Sequence, residues 1–319
     1  MADRFIESEK LPTETAGTSR RPAPWTAGRT TLDWLEMAEN YTGTLPRSAR
    51  SPDRELRLLM ALGRMLPALP HSTAAVNRIL RPWYLRKRRE SVLAQTLGSW
   101  MELDPHQAID AVLLFSPQLY DREELGYLRA RLTDGCVFVD IGAYIGLYSL
   151  AAAQAVGPAG RVLAIEPNPE SFEHLVGNIA LNTLESRVTA VRVAASDREE
   201  RFGLTVPSTG NRGGTMLVAA DDGLEEVSTA PLATILERAG CDRPDGAKLD
   251  IEGSEMMVLR RWFDDVAYDD LPGFLIIETV ADPGHADDID RLLKKAGYAL
   301  RSRHFTNAWN AIYEKSAPA

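Results

Sequence analysis

The sequence predicts an α/β protein built on a mostly parallel seven-stranded sheet, closed by a terminal antiparallel hairpin and preceded by a helical N-terminal extension. Three observations predict it. From Gly135 onward, short apolar runs alternate with longer segments whose apolar residues recur every three or four positions, the pattern of parallel strands joined by helical crossovers. The last two runs are joined by a link too short for such a crossover, so they must pair antiparallel. Finally, 319 residues with 45% hydrophobic and 25% charged side chains can bury one large core and a smaller appendage.

Taken in order, residues 1–28 are polar, rich in Pro, Thr and Glu and without periodicity, and read as a mobile tail. Residues 29–133 read as helical: Trp34, Leu35 and Ala38 keep helical spacing, as do Leu56, Leu59, Met60 and Leu66, with Pro67, Pro70 and Pro82 as punctuation. The run Arg86-Lys87-Arg88-Arg89 reads as a solvated helix face. Residues 134–319 form the ligand-binding domain. Val137–Ile141 is a buried strand, followed by a glycine turn and a small-residue helix over Leu147–Val156. Arg161–Ile165 is the second strand, and Pro169–Asn182 a helix with Phe172, Leu175, Val176 and Ile179 on one face. Val188–Ala195 is the third strand and Phe202–Val206 a short extra one, before a Gly/Ser/Thr-rich loop over Ser208–Asp222. Pro231 begins a helix that continues over Leu232–Ala239. Ala247–Ile251 and Phe274–Val280 are the fourth and fifth strands, each followed by a helix, over Met256–Phe263 and over His285–Ala296 with Gly297 closing the latter. Tyr298–Ser302 and Ala308–Glu314 make the hairpin.

Bulk properties exclude several classes. A net charge of −9 counts against a nucleic-acid partner. No stretch reaches the roughly 18–20 apolar residues of a membrane span, and the N-terminal residues hold no apolar signal core, so a cytoplasmic protein is expected. Cys136 and Cys241 lack metal-ligand spacing and are expected reduced and buried.

The chemistry is carried at strand ends, where open α/β sheets bind ligands. Asp140, Gly142, Ala143, Tyr144 and Gly146 form an Asp-x-Gly-x-x-x-Gly turn, which lets backbone approach a nucleoside closely. The spacing differs from the Gly-x-Gly-x-x-Gly of dinucleotide sites, whose amides serve a pyrophosphate. S-adenosylmethionine has no phosphate and carries a sulfonium cation, which suits Asp140. Glu166, with Pro167 and Asn168, stands where a carboxylate accepts hydrogen bonds from a ribose diol. Ser196 and Asp197 read either as adenine contacts or as a turn whose side chains bond their own backbone. In Lys248-Leu249-Asp250-Ile251-Glu252-Gly253-Ser254-Glu255, strand alternation directs Lys248, Asp250 and Glu252 to one side; Ser254 caps the next helix and Glu255 favours its dipole. Glu278, another acid near the rim, orients substrate or joins Asp250 around a divalent cation such as magnesium.

Together Val137–Leu150, Ala164–Asn182, Ala195–Glu199 and Lys248–Leu259 resemble the FkbM family of S-adenosylmethionine-dependent methyltransferases, over about Trp100–Glu314. The most specific part is Lys-Leu-Asp-Ile-Glu-Gly-Ser-Glu, close to the family's Lys-Ile-Asp-Val-Glu-Gly-Ala-Glu; Tyr144 stands where the family usually has Asn. The resemblance implies a Rossmann-like methyltransferase fold and methyl transfer, often to hydroxyls of sugars or polyketide-type natural products. For a neutral hydroxyl, Asp250 is the first candidate base and Glu252 the second, and Asp250 also counts among the cofactor contacts. His304, in the link of the terminal hairpin, is a candidate acceptor contact; His174, on the helix after Glu166, reads as a surface or packing residue, and His71 and His106 belong to the helical region. The extension is then a cap over a small-molecule acceptor, a homodimer arm, or both. N-methylation, a nucleotide-cofactor oxidoreductase and a non-catalytic binding protein of the same fold are the alternatives.

Overall fold

Why the segment before Gly135 is not wholly helical is clear from one turn. The computed structural model describes residues 49–67, 72–88, 90–205, 212–218, 225–241, 243–279, 283–304 and 309–316. The tail and the periodicity at Trp34, Leu35 and Ala38 lie outside these, as do His71 and Arg89. A helix spans Arg54–Gly63, capped by Asp53, whose carboxylate accepts the Leu56 N–H. Three consecutive helical stretches follow, Ser72–Ala75, Val76–Leu80 and Arg81–Lys87, the middle one a π turn just before Pro82, which lacks the N–H an α ladder needs. Then Val92–Thr96 (β1) and Ser99–Leu103 (β2) pair antiparallel, correcting the helical expectation for this stretch. Leu97 and Gly98, at φ 49° and 96°, make the two-residue turn whose twist suits a hairpin. Leucine is not a residue that advertises such a turn. Helices Ala108–Phe115 and Arg122–Arg131 lead into the sheet.

Val137–Ile141 (β3), Arg161–Ile165 (β4) and Val188–Val191 (β5) are short β-branched runs that pair in parallel. The chain then leaves this sheet. Ala194–Ser196 (β6), Arg201–Thr205 (β7), Met216–Val218 (β8) and Glu225–Pro231 (β9) form a separate four-stranded sheet in the order β6-β9-β7-β8. The expected single strand Val188–Ala195 is therefore two, the second paired with β9. The loop expected over Ser208–Asp222 contains β8 and a 3₁₀ turn over Arg212–Gly214. Gly246–Leu249 (β10), Phe274–Thr279 (β11), Tyr298–His304 (β12) and Trp309–Lys315 (β13) complete the main sheet, in the order β12-β13-β11-β10-β3-β4-β5. β13 runs antiparallel to both neighbours, and the expected seven-stranded sheet with its terminal hairpin is observed.

Alternation along the strands divides the core into two layers. Val139, Ile141, Leu163, Ile165, Leu249 and Ile277 face helices Leu232–Arg238, Glu255–Asp265 and Pro283–Lys295. Phe138, Val162, Ala164 and Ile276 face the other way, into a cluster that includes Leu56, Tyr84, Met101 and Leu128 of the N-terminal segment. Extension and sheet thus share one apolar layer. Cys136 is half-buried rather than buried, Cys241 is buried, and neither is in a disulfide. Among the described residues, no helix is long and apolar enough to cross a membrane.

Candidate active site

The same alternation that builds the core brings the polar residues together. Asp140 follows Val139 and so lies on the face of Phe138; Lys248 and Glu278 occupy that face on β10 and β11. In register, Lys248 pairs with Asp140 on one side and Ile276 on the other, so the next inward positions, Asp250 and Glu278, stand side by side. They line a cavity of about 270 Å³ at the carboxyl ends of β3, β4, β10 and β11.

One end of the cavity is the glycine turn. Gly142 has φ 82°, and a Cβ on it would lie 1.8 Å from the Asp250 carbonyl oxygen, so only glycine fits. The Gly142 and Ala143 amides both donate to the Ile165 carbonyl, Gly146 N–H donates to Ala143, and Tyr144 N–H donates to Glu166 Oε2 at 2.8 Å. These amides are spent within the protein, which counts against a pyrophosphate ligand and so against a dinucleotide-dependent oxidoreductase. Tyr144 has φ 51°, a left-handed conformation costing about 1–3 kcal/mol for a bulky residue and easier for Asn. Its hydroxyl donates to Asp110 Oδ1 at 3.0 Å. Glu166 Oε1 also accepts the Asn168 N–H at 2.8 Å, leaving each oxygen a lone pair for a ligand. Burial raises the Glu166 carboxyl to about 7 despite these two amides. Asp140 Oδ2 accepts from Ser149 at 2.6 Å, while the buried Oδ1 has no hydrogen-bond partner. An unpartnered acceptor beside a carboxylate free to bond a diol fits a cationic nucleoside such as S-adenosylmethionine.

At the other end, Lys248 Nζ sits 2.7 Å from Asp250 Oδ2 and 4.7 Å from the centre of the Tyr148 ring. Burial opposes its charge, but the Asp250 and Asp140 carboxylates outweigh that and raise its pKa. Burial likewise works to raise Asp250, yet the Lys248 ammonium and a hydrogen bond from Glu278 hold it below the usual carboxylate range. Burial and the Asp250 charge push Glu278 far up, so it is the protonated partner of the pair. Glu252, at φ 52°, is raised to about 7 by burial and by Asp250. With Lys248 already neutralising Asp250, the carboxylates have their cation, and among the described residues no group of three or more His, Cys, Asp or Glu is arranged to hold a metal.

Several expected residues lie elsewhere. Asn168 does not line the cavity; it caps the helix Pro169–Leu181 through the Ser171 N–H. Pro167 lines it. Ser196 and Asp197 also stay out; Ser196 ends β6 and its hydroxyl lies 3.3 Å from its neighbour's carboxylate and not on backbone as the turn reading had it. Ser254 makes no side-chain cap; Glu255 Oε1 instead accepts the Ile251 and Gly253 amides, ordering the turn that carries Glu252. The His304 side chain lies outside the described residues. Conversely, Tyr120, Asp121, Tyr148 and Arg212 line the cavity without having been foreseen. Asp121 precedes a helix and reads as its cap, but the side chain makes no cap bond and accepts from Tyr148 Oη at 2.9 Å. Burial, then the charge of Glu124, raise it to about 7. No pattern in the sequence distinguishes this acid from an ordinary capping residue.

Comparison with known proteins gives the same direction. The family model described as the methyltransferase FkbM domain matches residues 140–300. A protein named methyltransferase sdnD, from Sordaria araneosa, is 27% identical over 208 residues, covering 54% of this chain and 76% of that one. A probable cobalt-precorrin-6B C(15)-methyltransferase (decarboxylating) from Sulfurisphaera tokodaii is 29% identical over 119 residues, 31% of this chain and 62% of that protein. Among solved structures, the methyltransferase FkbM from Methylobacillus flagellatus KT is 21% identical with a TM-score of 0.43, covering 76% of this chain and 58% of that one. The chain thus spans less than two thirds of the second relative and of that structure. The family match begins at Asp140 of the glycine turn, ends in the terminal hairpin and takes in half of the sequence, so this chain belongs to the FkbM family of S-adenosylmethionine-dependent methyltransferases.

Proposed function

We propose that the protein methylates a hydroxyl of a small, uncharged molecule, a sugar or a polyketide-type natural product, with Glu166 on the cofactor ribose and Glu252 or Asp250 near the reacting oxygen. One observation carries this reading: a single cavity joins the Glu166 end to a cluster of acids, Asp121, Asp250, Glu252 and Glu278, whose lining cations Lys248 and Arg212 are already ion-paired. An acceptor with a carboxylate or phosphate would find no uncommitted cation among these lining residues and would face the Asp250 charge, whereas a neutral hydroxyl meets an acceptor for its proton.

S-adenosylmethionine supplies a methyl group on a sulfonium, an excellent leaving group. The protein's part is then to hold the two reactants in line and exclude water. Glu252, near neutrality, is matched to take the hydroxyl proton at its carboxylate; Asp250, committed to Lys248 and Glu278, is a weaker base and a better fixed point for the acceptor. Lys248 stands where a divalent cation would otherwise sit, so turnover is expected to persist in a chelator.

The test is calorimetric titration with S-adenosylhomocysteine, with NAD as control, followed by release of S-adenosylhomocysteine from the methyl donor over matched neutral and carboxylated polyols, with and without magnesium. Binding of S-adenosylhomocysteine alone, weakened about tenfold or more by Glu166→Ala, is expected from the loss of charged hydrogen bonds. Binding of NAD, or equal turnover of carboxylated acceptors, would overturn the reading.

A further inference from the structure

Beside the Glu166 end of the cavity, hydrogen bonds from four separate parts of the chain make a circuit that the main chain from Glu166 to Glu170 closes. Tyr144 donates its hydroxyl to Asp110 Oδ1, and Asp110 Oδ2 accepts the Asp104 N–H at 2.8 Å. Asp104 Oδ2 pairs with Arg212 Nη2 at 3.1 Å, and Arg212 Nη1 with Glu170 Oε1 at 2.6 Å. Glu170 lies in the first turn of the helix that begins after Glu166-Pro167-Asn168, and Glu166 returns the circuit to Tyr144 through its backbone amide. Arg212 is 5% exposed, its own N–H donates to Gln107 Oε1, and Asp110 is fully buried, so the circuit runs through the interior and reaches the surface at the Glu170 carboxylate. Asp104, Gln107 and Asp110 all precede the region that the family model matches.

A tyrosine in the left-handed region has to be held there, and such strain persists only where its surroundings over-determine it. Here the two restraints on Tyr144 are Asp110 at the hydroxyl and Glu166 at the amide. Moving the ring therefore moves the amide that fixes Glu166. We infer that Tyr144, Asp110 and Arg212 are positioning residues of the cofactor site, through which the N-terminal segment holds the ribose-binding carboxylate in place. The inference rests on the assignment of Glu166 to the cofactor.

Calorimetry with S-adenosylhomocysteine on the full-length protein tests it, with thermal melting as the parallel readout. Tyr144→Phe keeps the ring and is expected to weaken binding about tenfold, the loss of one buried hydrogen bond, while lowering the melting midpoint by only a few degrees. Asp110→Ala should lose as much, and the double variant no more than either alone, because both break one link. Asp110→Asn should restore affinity: its oxygen can accept the Asp104 N–H while its amide donates to the Tyr144 hydroxyl. Wild-type affinity in Tyr144→Phe would overturn the inference, as would additive losses. If Asp110→Ala does not fold, Tyr144→Phe alone decides. Absence of binding by the unaltered protein would instead defeat the Glu166 assignment, and this inference with it.

Discussion

Glu252 and Asp250 are two residues apart and have opposite electrostatic surroundings. Lys248 keeps Asp250 ionised throughout the neutral range, whereas burial and the Asp250 charge raise Glu252 to about 7. Turnover at saturating cofactor should therefore rise with pH through about 7 as Glu252 loses its proton. Glu252→Gln should remove that limb and cost about 10²–10⁴-fold in kcat. Asp250→Asn should lower turnover while S-adenosylhomocysteine still binds; undiminished turnover in Glu252→Gln would return the role of base to Asp250. Residues that a strand end fixes were legible in the sequence, because strand period and the rim position suffice to put Asp140, Glu166, Asp250 and Glu278 together. Residues on turns were not. Ser254 and Asp197 share their local signals with caps and turns, and Asp121, which has the signal of a cap, is turned into the cavity by a left-handed backbone at φ 38°.

Between elements, the hairpin is held to the helix Pro169–Leu181 by two asparagines one turn apart. Asn182 accepts from the Trp100 N–H and donates to the Trp100 carbonyl, as a neighbouring strand would. Asn178, fully buried, accepts the Glu102 N–H at 2.7 Å and donates to the Ile145 carbonyl at 2.9 Å. The outer edge of β2 is thus paired without a third strand. Asn178→Leu, close in size, leaves both groups buried and unpaired and is expected to cost about 2–5 kcal/mol, read by denaturant unfolding. A cost under about 0.5 kcal/mol would mean that water or a shifted strand takes over. The hairpin was hidden in the sequence because Leu97 stands where such a turn usually has Asn, Asp or Gly, while β9 was missed because it runs straight into the helix start at Pro231. The parallel strands, by contrast, are continuous apolar runs between turn residues, and β3 and β4 have the bounds expected from the sequence.

On the scale of the whole molecule, the cavity and the residues packed around it gather carboxyls whose charge the fold opposes. Burial raises Asp110, Asp121, Glu166 and Glu252 each to about 7, and Glu278 well above its usual value. In the unfolded chain these groups ionise near 4. Between the two values the folded protein binds more protons, so this stabilisation is complete below about 4 and is lost as pH rises through about 7. Asp53, Glu55, Asp250 and Glu314, held below their usual values, act in the opposite sense and only in acid. The ligand-free protein should therefore melt at a higher temperature at pH 6 than at pH 8, and a flat or rising midpoint over that interval would show that the acids are solvated. The contact between Gly142 and the Asp250 carbonyl has a different bearing. The glycine turn and the turn that carries Asp250 meet at main chain, where a side chain on Gly142 would strike the Asp250 carbonyl. On the proposed assignment, side chains lining the acceptor end, such as Tyr120 and Asp121, can then be exchanged to admit new molecules while the spacing between the two turns stays as it is, which makes that wall the place to re-engineer selectivity.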